Sequence, residues 1–196
     1  MLFNSGVAKP TSISFRLVDL ASLFQRYNFN FLENHLRNVQ FFMMKSKRNA
    51  SLCPQTANLI YSTPSILSCD FSLLPGKTKI KPHEGYTRMV LRCHLPLIVP
   101  EGNQCGIRVG NETHQWEEGK MLVFDDSFEH EAWNKSDKSR VVLMFDIPNP
   151  HWGFNSDEIS AYKINNLDDP FLLSLASKEQ WKKSFTDRVL PMEEFF

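Results

Sequence analysis

From Ile66 to Pro148 the chain reads as short apolar runs, ILSCDFSLL, TRMVLRCHLPLIV, CGIRVG, KMLVF and RVVLMFDI, cut by Pro75-Gly76, Pro100-Glu101-Gly102, Gly110-Asn111 and Glu118-Gly119. Proline and glycine at those breaks supply the backbone conformations that tight turns need. Many short strands with regularly spaced turns imply a sandwich or a barrel. Several runs are apolar on both faces, so one face must pack on a partner sheet and the other on further cover. A double-sheet jelly roll meets that demand. The expected fold is mainly β, a jelly-roll or cupin-like core with helices flanking it on both sides.

In the N-terminal flank, residues 12–44 mix apolar and polar positions. In SLFQRYNFNFLENHLRNVQFF, Leu23, Phe24, Tyr27, Phe31, Leu32 and Leu36 approximate a period of 3.6, which predicts helix. After Pro148, HWGFNSDEISAYKINNLDDPF reads as loop and FLLSLASKEQWKKSF as a short amphipathic helix. At 196 residues one domain is expected, with a helical cover over 1–60, the jelly-roll core over 61–150 and a C-terminal extension over 151–196.

Composition narrows the class of partner. Twenty-two basic and twenty-two acidic residues balance, so no broad field is available to attract nucleic acid or an anionic membrane. A small or specific partner fits better: a protein, a peptide or an amino acid. The start of the chain lacks the signature of a secretory leader, and no stretch approaches the ~18 apolar residues of a membrane span. A cytoplasmic protein without a membrane anchor is the default expectation. Cys53, Cys69, Cys93 and Cys105 show no CxxC pairing and read as reduced thiols.

The polar residues inside the apolar runs carry the chemistry. A period of two puts Val90, Arg92 and His94 on one face of their strand, and Arg140, Val142, Met144 and Asp146 on one face of the last. Two guanidiniums entering one cavity suggest a dicarboxylate, because guanidinium keeps its charge when desolvated and its fork matches carboxylate geometry. His83, in PHEG, and His130, in FEHEAW, are far apart in sequence but meet if their strands are neighbours. Imidazole suits first-row transition metals such as iron. Asp125 and Asp126 could be offered as a carboxylate ligand, but an Asp-Asp-Ser stretch after an apolar strand reads rather as a turn bonding local amides, and Trp116 reads as a packing residue.

The segment from His83 to Ile147, densest in IRVGNETHQWEEGK and VFDDSFEHEAW, resembles the catalytic domain of the aspartyl/asparaginyl β-hydroxylase family of Fe(II)- and 2-oxoglutarate-dependent oxygenases. The resemblance spans about residues 66–150. It implies a double-stranded β-helix, with His83 and His130 as iron ligands. It implies that Arg92, His94 and Arg140 hold 2-oxoglutarate, with Arg140 at its distal carboxylate, and that Ser72 joins them.

The wider superfamily pairs two histidines with a carboxylate. This family is similar to the present chain in placing glycine at Gly85 instead. A six-coordinate iron holding two imidazoles and a chelating 2-oxoglutarate then keeps two positions, for dioxygen, water or another anion. The resemblance implies hydroxylation of an Asp- or Asn-type side chain in a protein, peptide or free amino acid. Family members also include membrane-anchored enzymes acting on lipid acyl chains, a substrate less expected for a chain with no anchor. A halogenase, with chloride beside Gly85, and a non-catalytic jelly-roll binding module are the alternatives.

Overall fold

The computed structural model describes residues 37–191. Its strands are β1 Arg37–Phe41, β2 Met44–Lys45, β3 Ser68–Leu74, β4 Thr78–His83, β5 Val90–Ile98, β6 Cys105–Val109, β7 Glu112–His114, β8 Leu122–Phe124, β9 His130–Asn134 and β10 Arg140–Pro148. The helices are α1 Lys47–Leu52, α2 Pro54–Tyr61, α3 Ser156–Asn165, α4 Pro170–Leu175 and α5 Lys178–Asp187. Two compact units form, one of Ser72–Met144 and one of the described parts of Leu36–Phe71 and Phe145–Phe196. The chain passes from one to the other within β3 and within β10.

The first unit is the two-sheet core that the turn-punctuated runs predict. One sheet has the order β4-β9-β6-β7, and the ends of β3 and β10 lead the other in the order β3-β10-β5-β8. The pairs β4/β9, β9/β6, β6/β7 and β5/β8 are antiparallel, and strands adjacent in space are mostly not adjacent in sequence. That is jelly-roll wiring. Leu74, Phe124 and Val142 from one sheet pack with Cys105, Ile107, Val109 and Ala132 from the other, and Trp116 joins them. Each large apolar side chain so buried contributes about 1.5–3 kcal/mol.

A buried asparagine ties the turn between β9 and β10 to this core. Asn134 Nδ2 donates to Leu74 O at 3.0 Å and to Lys138 O at 2.7 Å, while its Oδ1 accepts from Ser136 and from Cys105 Sγ. The network fixes where β9 ends and β10 begins, and so the spacing of the polar residues those strands carry.

In the second unit β1 pairs antiparallel with β2 and β3. Its core gathers Met44, Ile164, Leu167, Ala176, Leu190 and a fully buried Trp181. The helix predicted over residues 12–44 is corrected where it can be seen, since Arg37–Phe41 and Met44–Lys45 are strands. Residues 12–36 lie outside the described part. Pairing with β3 and the bonds from Gln40 Nε2 to Ile66 O and Leu67 O, at 2.6 and 3.2 Å, override the local helical period.

The stretch after Pro148, expected as loop, contains α3. Its signal is Asn155 three residues before Glu158, a capping box with both reciprocal bonds made. The single helix expected further on is two, α4 and α5, because Ser177 caps a new start with Gln180 at the third helical position. Among the described residues no helix is long and apolar enough to cross a membrane.

Candidate metal and dicarboxylate site

The candidate site residues Ser72, His83, Arg92, His94, His130 and Arg140 all lie in the two-sheet unit. His83 ends β4 and His130 starts β9, and the two are directly paired across the ladder. That pairing needs a register shift: Ile80 faces Ala132, yet three residues later His83 faces His130, two positions along β9. The bulge swings the end of β4 so that both imidazoles share one side. Their ring centroids are 4.1 Å apart.

Each imidazole is oriented the same way. His83 Nδ1 lies 2.8 Å from Lys81 O, and His130 Nδ1 lies 2.9 Å from Phe128 O. A carbonyl only accepts, so both Nδ1 atoms carry a hydrogen, and in a neutral ring the lone pair that can bind a metal is then the one on Nε2. A ring bound through Nε2 has its centroid about 3 Å from the metal, so one ion can serve two rings up to about 6 Å apart. The observed spacing meets that limit. Among the described residues no group of three or more His, Cys, Asp or Glu side chains gathers as a metal site. What the fold offers an ion here is a pair of imidazoles.

Gly85 stands where a third ligand would be sought. A Cβ built on it would run into the Asp126 carboxyl group. Gly85 N also donates to Asp126 O at 2.7 Å, and Arg92 Nη1 pairs with Asp126 Oδ2 at 2.9 Å. Arg92, expected at the co-substrate, thus holds a 2 % exposed aspartate against the glycine. Asp125 behaves as the sequence predicts, its Oδ1 accepting from Ser127 N at 3.0 Å. Asp126, set aside with it as a turn residue, instead pairs with Arg92 beside Gly85, a partnership that sequence reasoning missed. Gly85→Ala and Gly85→Asp are expected to lower stability by about 1–3 kcal/mol through overpacking, measured by urea melts, and neither should tighten Fe(II) binding.

Deeper in the core, Arg140 on β10 is 1 % exposed. Its Nη1 donates to Ser72 O and Oγ at 3.2 and 3.4 Å, while Nε has no partner. No acidic side chain answers its charge among the described residues. Burial pulls the guanidinium down to about 10. The ring of Trp116 lies 4.5 Å from its Cζ. His94 on β5 is also buried, with Nδ1 accepting from Trp116 Nε1 at 3.2 Å and Nε2 left without a partner. Phe124 packs edge-on between His94 and His130, 5.1 and 5.6 Å from their centroids.

An uncompensated buried guanidinium and an orphaned imidazole nitrogen call for an anion. A dicarboxylate such as 2-oxoglutarate fits both, and the histidine pair beyond Phe124 fits an iron ion.

Burial, and then the charges of Arg140, Arg92 and His130, hold His94 well below the usual histidine range. Burial also lowers His130, against the bond to Phe128 O that raises it. Unfolded histidines titrate near 6.5, so below that pH the unfolded chain binds more protons and stability falls as pH falls. Between pH 7 and pH 5 His94 should therefore remove stability from the metal-free protein. Urea melts across that window test this, and His94→Gln should flatten the slope.

Residues 11–150 match the sequence profile described as Aspartyl/Asparaginyl beta-hydroxylase. The chain is 47% identical over 149 residues to the ornithine lipid ester-linked acyl 2-hydroxylase of Rhizobium tropici, a match covering 74% of this chain and 52% of that protein. It is 39% identical over 114 residues to the human aspartyl/asparaginyl beta-hydroxylase, covering 54% of this chain and 15% of the relative. The chain therefore spans about half the length of the first relative and a small part of the second. A solved oxidoreductase of the 2OG-Fe(II) oxygenase family from Burkholderia pseudomallei aligns at a TM-score of 0.46 and 12% identity, covering 67% of this chain and 77% of that one. With the family profile matched over most of its length, the chain belongs to the aspartyl/asparaginyl β-hydroxylase family.

Proposed function

We propose that this protein is an Fe(II)- and 2-oxoglutarate-dependent hydroxylase of a methylene group next to a carbonyl. The observation that carries the reading is the pairing of His83 with His130 beside a buried guanidinium that has no acidic partner among the described residues. His83 and His130 would hold the iron through Nε2. Arg140, supported by Ser72, would receive the distal carboxylate of 2-oxoglutarate, and His94 and Arg92 line the rest of its seat. When bound, the iron and co-substrate together supply the oxidation by dioxygen that releases succinate and carbon dioxide. Phe124 excludes water between the two parts of the site.

For the substrate, the first reading is an Asp- or Asn-type side chain in a protein, peptide or free amino acid, whose β-carbon adjoins the side-chain carbonyl. The second is an ester-linked acyl chain hydroxylated at carbon 2, which also adjoins a carbonyl. It is favoured by the 47% identity to the Rhizobium tropici protein and by exposed Ile80, Tyr86 and Phe128 on the segments that carry the two histidines. Halogenation is the weaker reading, because both relatives compared above are named as hydroxylases.

Succinate release should be screened anaerobically loaded and then aerated, over Asp and Asn peptides, the free amino acids and acyl-ornithine lipid in detergent. A product heavier by one oxygen in the amino-acid arms supports the first reading, and in the lipid arm the second. A product carrying chlorine, or no turnover in any arm, counts against both.

A further inference from the structure

Trp116 touches both groups that would receive the co-substrate. Its Nε1–H donates to His94 Nδ1, and its ring face lies against the Arg140 guanidinium. An indole N–H can only donate, so His94 Nδ1 must be the unprotonated nitrogen of that ring. A neutral imidazole then carries its single hydrogen on Nε2. In the structure Nε2 is buried and meets no partner, which makes it a donor reserved for a ligand oxygen.

Neutrality matters as well as tautomer. Arg140 on the neighbouring β10 and Arg92 on β5 itself already place two fixed positive charges near His94, and His130 stands on β9 beyond Phe124. A proton on Nδ1 would point at the indole N–H, donor against donor, so the tryptophan opposes a third charge there. The stack acts on the arginine in parallel: a guanidinium lying on an aromatic face keeps one plane.

We propose that Trp116 is a positioning residue that presets the Nε2–H tautomer of His94 and the plane of Arg140 for a dicarboxylate co-substrate. The inference rests on the 2-oxoglutarate reading given above, but its core, the state of His94, is observable without any ligand.

In metal-free protein labelled with ¹⁵N-histidine, the His94 signals, assigned by their loss in His94→Gln, should show a protonated Nε2 and a bare Nδ1. Trp116→Phe keeps an aromatic surface for Arg140 and removes the donor together with one fused ring of the indole. It should let His94 exchange between tautomers and raise the Kd for 2-oxoglutarate about tenfold, measured by anaerobic calorimetry with Mn(II) as the metal. Trp116→Leu removes donor and stack together and should cost about a hundredfold. If the leucine variant does not fold, the phenylalanine variant still decides.

A wild-type His94 with its proton on Nδ1, or a Trp116→Phe protein with unchanged ¹⁵N signals and unchanged Kd, overturns the proposal. A wild-type protein with the stated tautomer and no affinity for 2-oxoglutarate overturns the co-substrate reading and leaves the tryptophan lock standing.

Discussion

Replacing His83 and His130 together by alanine should abolish Fe(II) binding and, with it, all 2-oxoglutarate turnover. Two imidazoles form the whole protein share of the proposed coordination, so among the described residues no third side chain remains to retain the ion at lower affinity. The single variants should differ in stability although both lose the metal. His83 is exposed, its ring bonded to Lys81 O and lying against the ring of His130, and His83→Ala should stay within about ±0.5 kcal/mol of the parent. His130 is 5 % exposed and packs on Phe124, so His130→Ala should cost about 1–3 kcal/mol by leaving a cavity and a carbonyl without its donor. Anaerobic Fe(II) titration and denaturant melts separate the two effects. A double variant that still binds one Fe(II) with wild-type affinity would remove the histidine pair from the chemistry.

The site's ingredients were written locally, whereas its assembly was not. A period of two is a property of neighbouring residues, so it could put Arg92 with His94 on one strand face, and both indeed belong to β5. Nothing in that period could reveal the bulge between Ile80 and His83, because a bulge appears only against the partner strand. Asp126 illustrates the same limit. Its neighbour Asp125 is a turn residue, as the Asp-Asp-Ser pattern predicts, but the role of Asp126 depends on Arg92 and Gly85, each more than thirty positions away in sequence. A glycine in place of an acid, read together with a second acid following an apolar strand, was the available signal.

Trp116 does pack in the core, as expected, and its N–H bond to His94 spans β5 and the loop after β7. The helices were misjudged for the converse reason. Residues 37–41 fall in the stretch read as helix yet pair into a sheet, and α3 starts at a capping box that hydrophobic periodicity does not register.

Arg140→Met should lose co-substrate affinity while leaving the ligand-free protein at least as stable. In the free state the guanidinium is a buried charge with bonds only to Ser72, and desolvation has drawn it down to about 10. Replacing such a group with an apolar side chain of similar length is neutral to stabilising, by up to about 1–4 kcal/mol, and a thioether packs well on the Trp116 ring it would inherit. Binding runs the other way. A charge-assisted bond is worth about 1.5–3 kcal/mol, so removing the fork should weaken 2-oxoglutarate by roughly a hundredfold or more. Arg140→Lys keeps a charge without the fork and should recover only part of that loss.

The decisive measurement is a pair of melts for each protein, without and with 2-oxoglutarate and Mn(II). A ligand at a hundred times its Kd adds about 2.7 kcal/mol to the wild type, and the methionine variant should show almost none of that shift from a baseline equal to or above the parent's. If Arg140→Met instead unfolds readily when free yet is still stabilised by 2-oxoglutarate to the wild-type extent, the guanidinium is a structural group and the anion seat lies elsewhere.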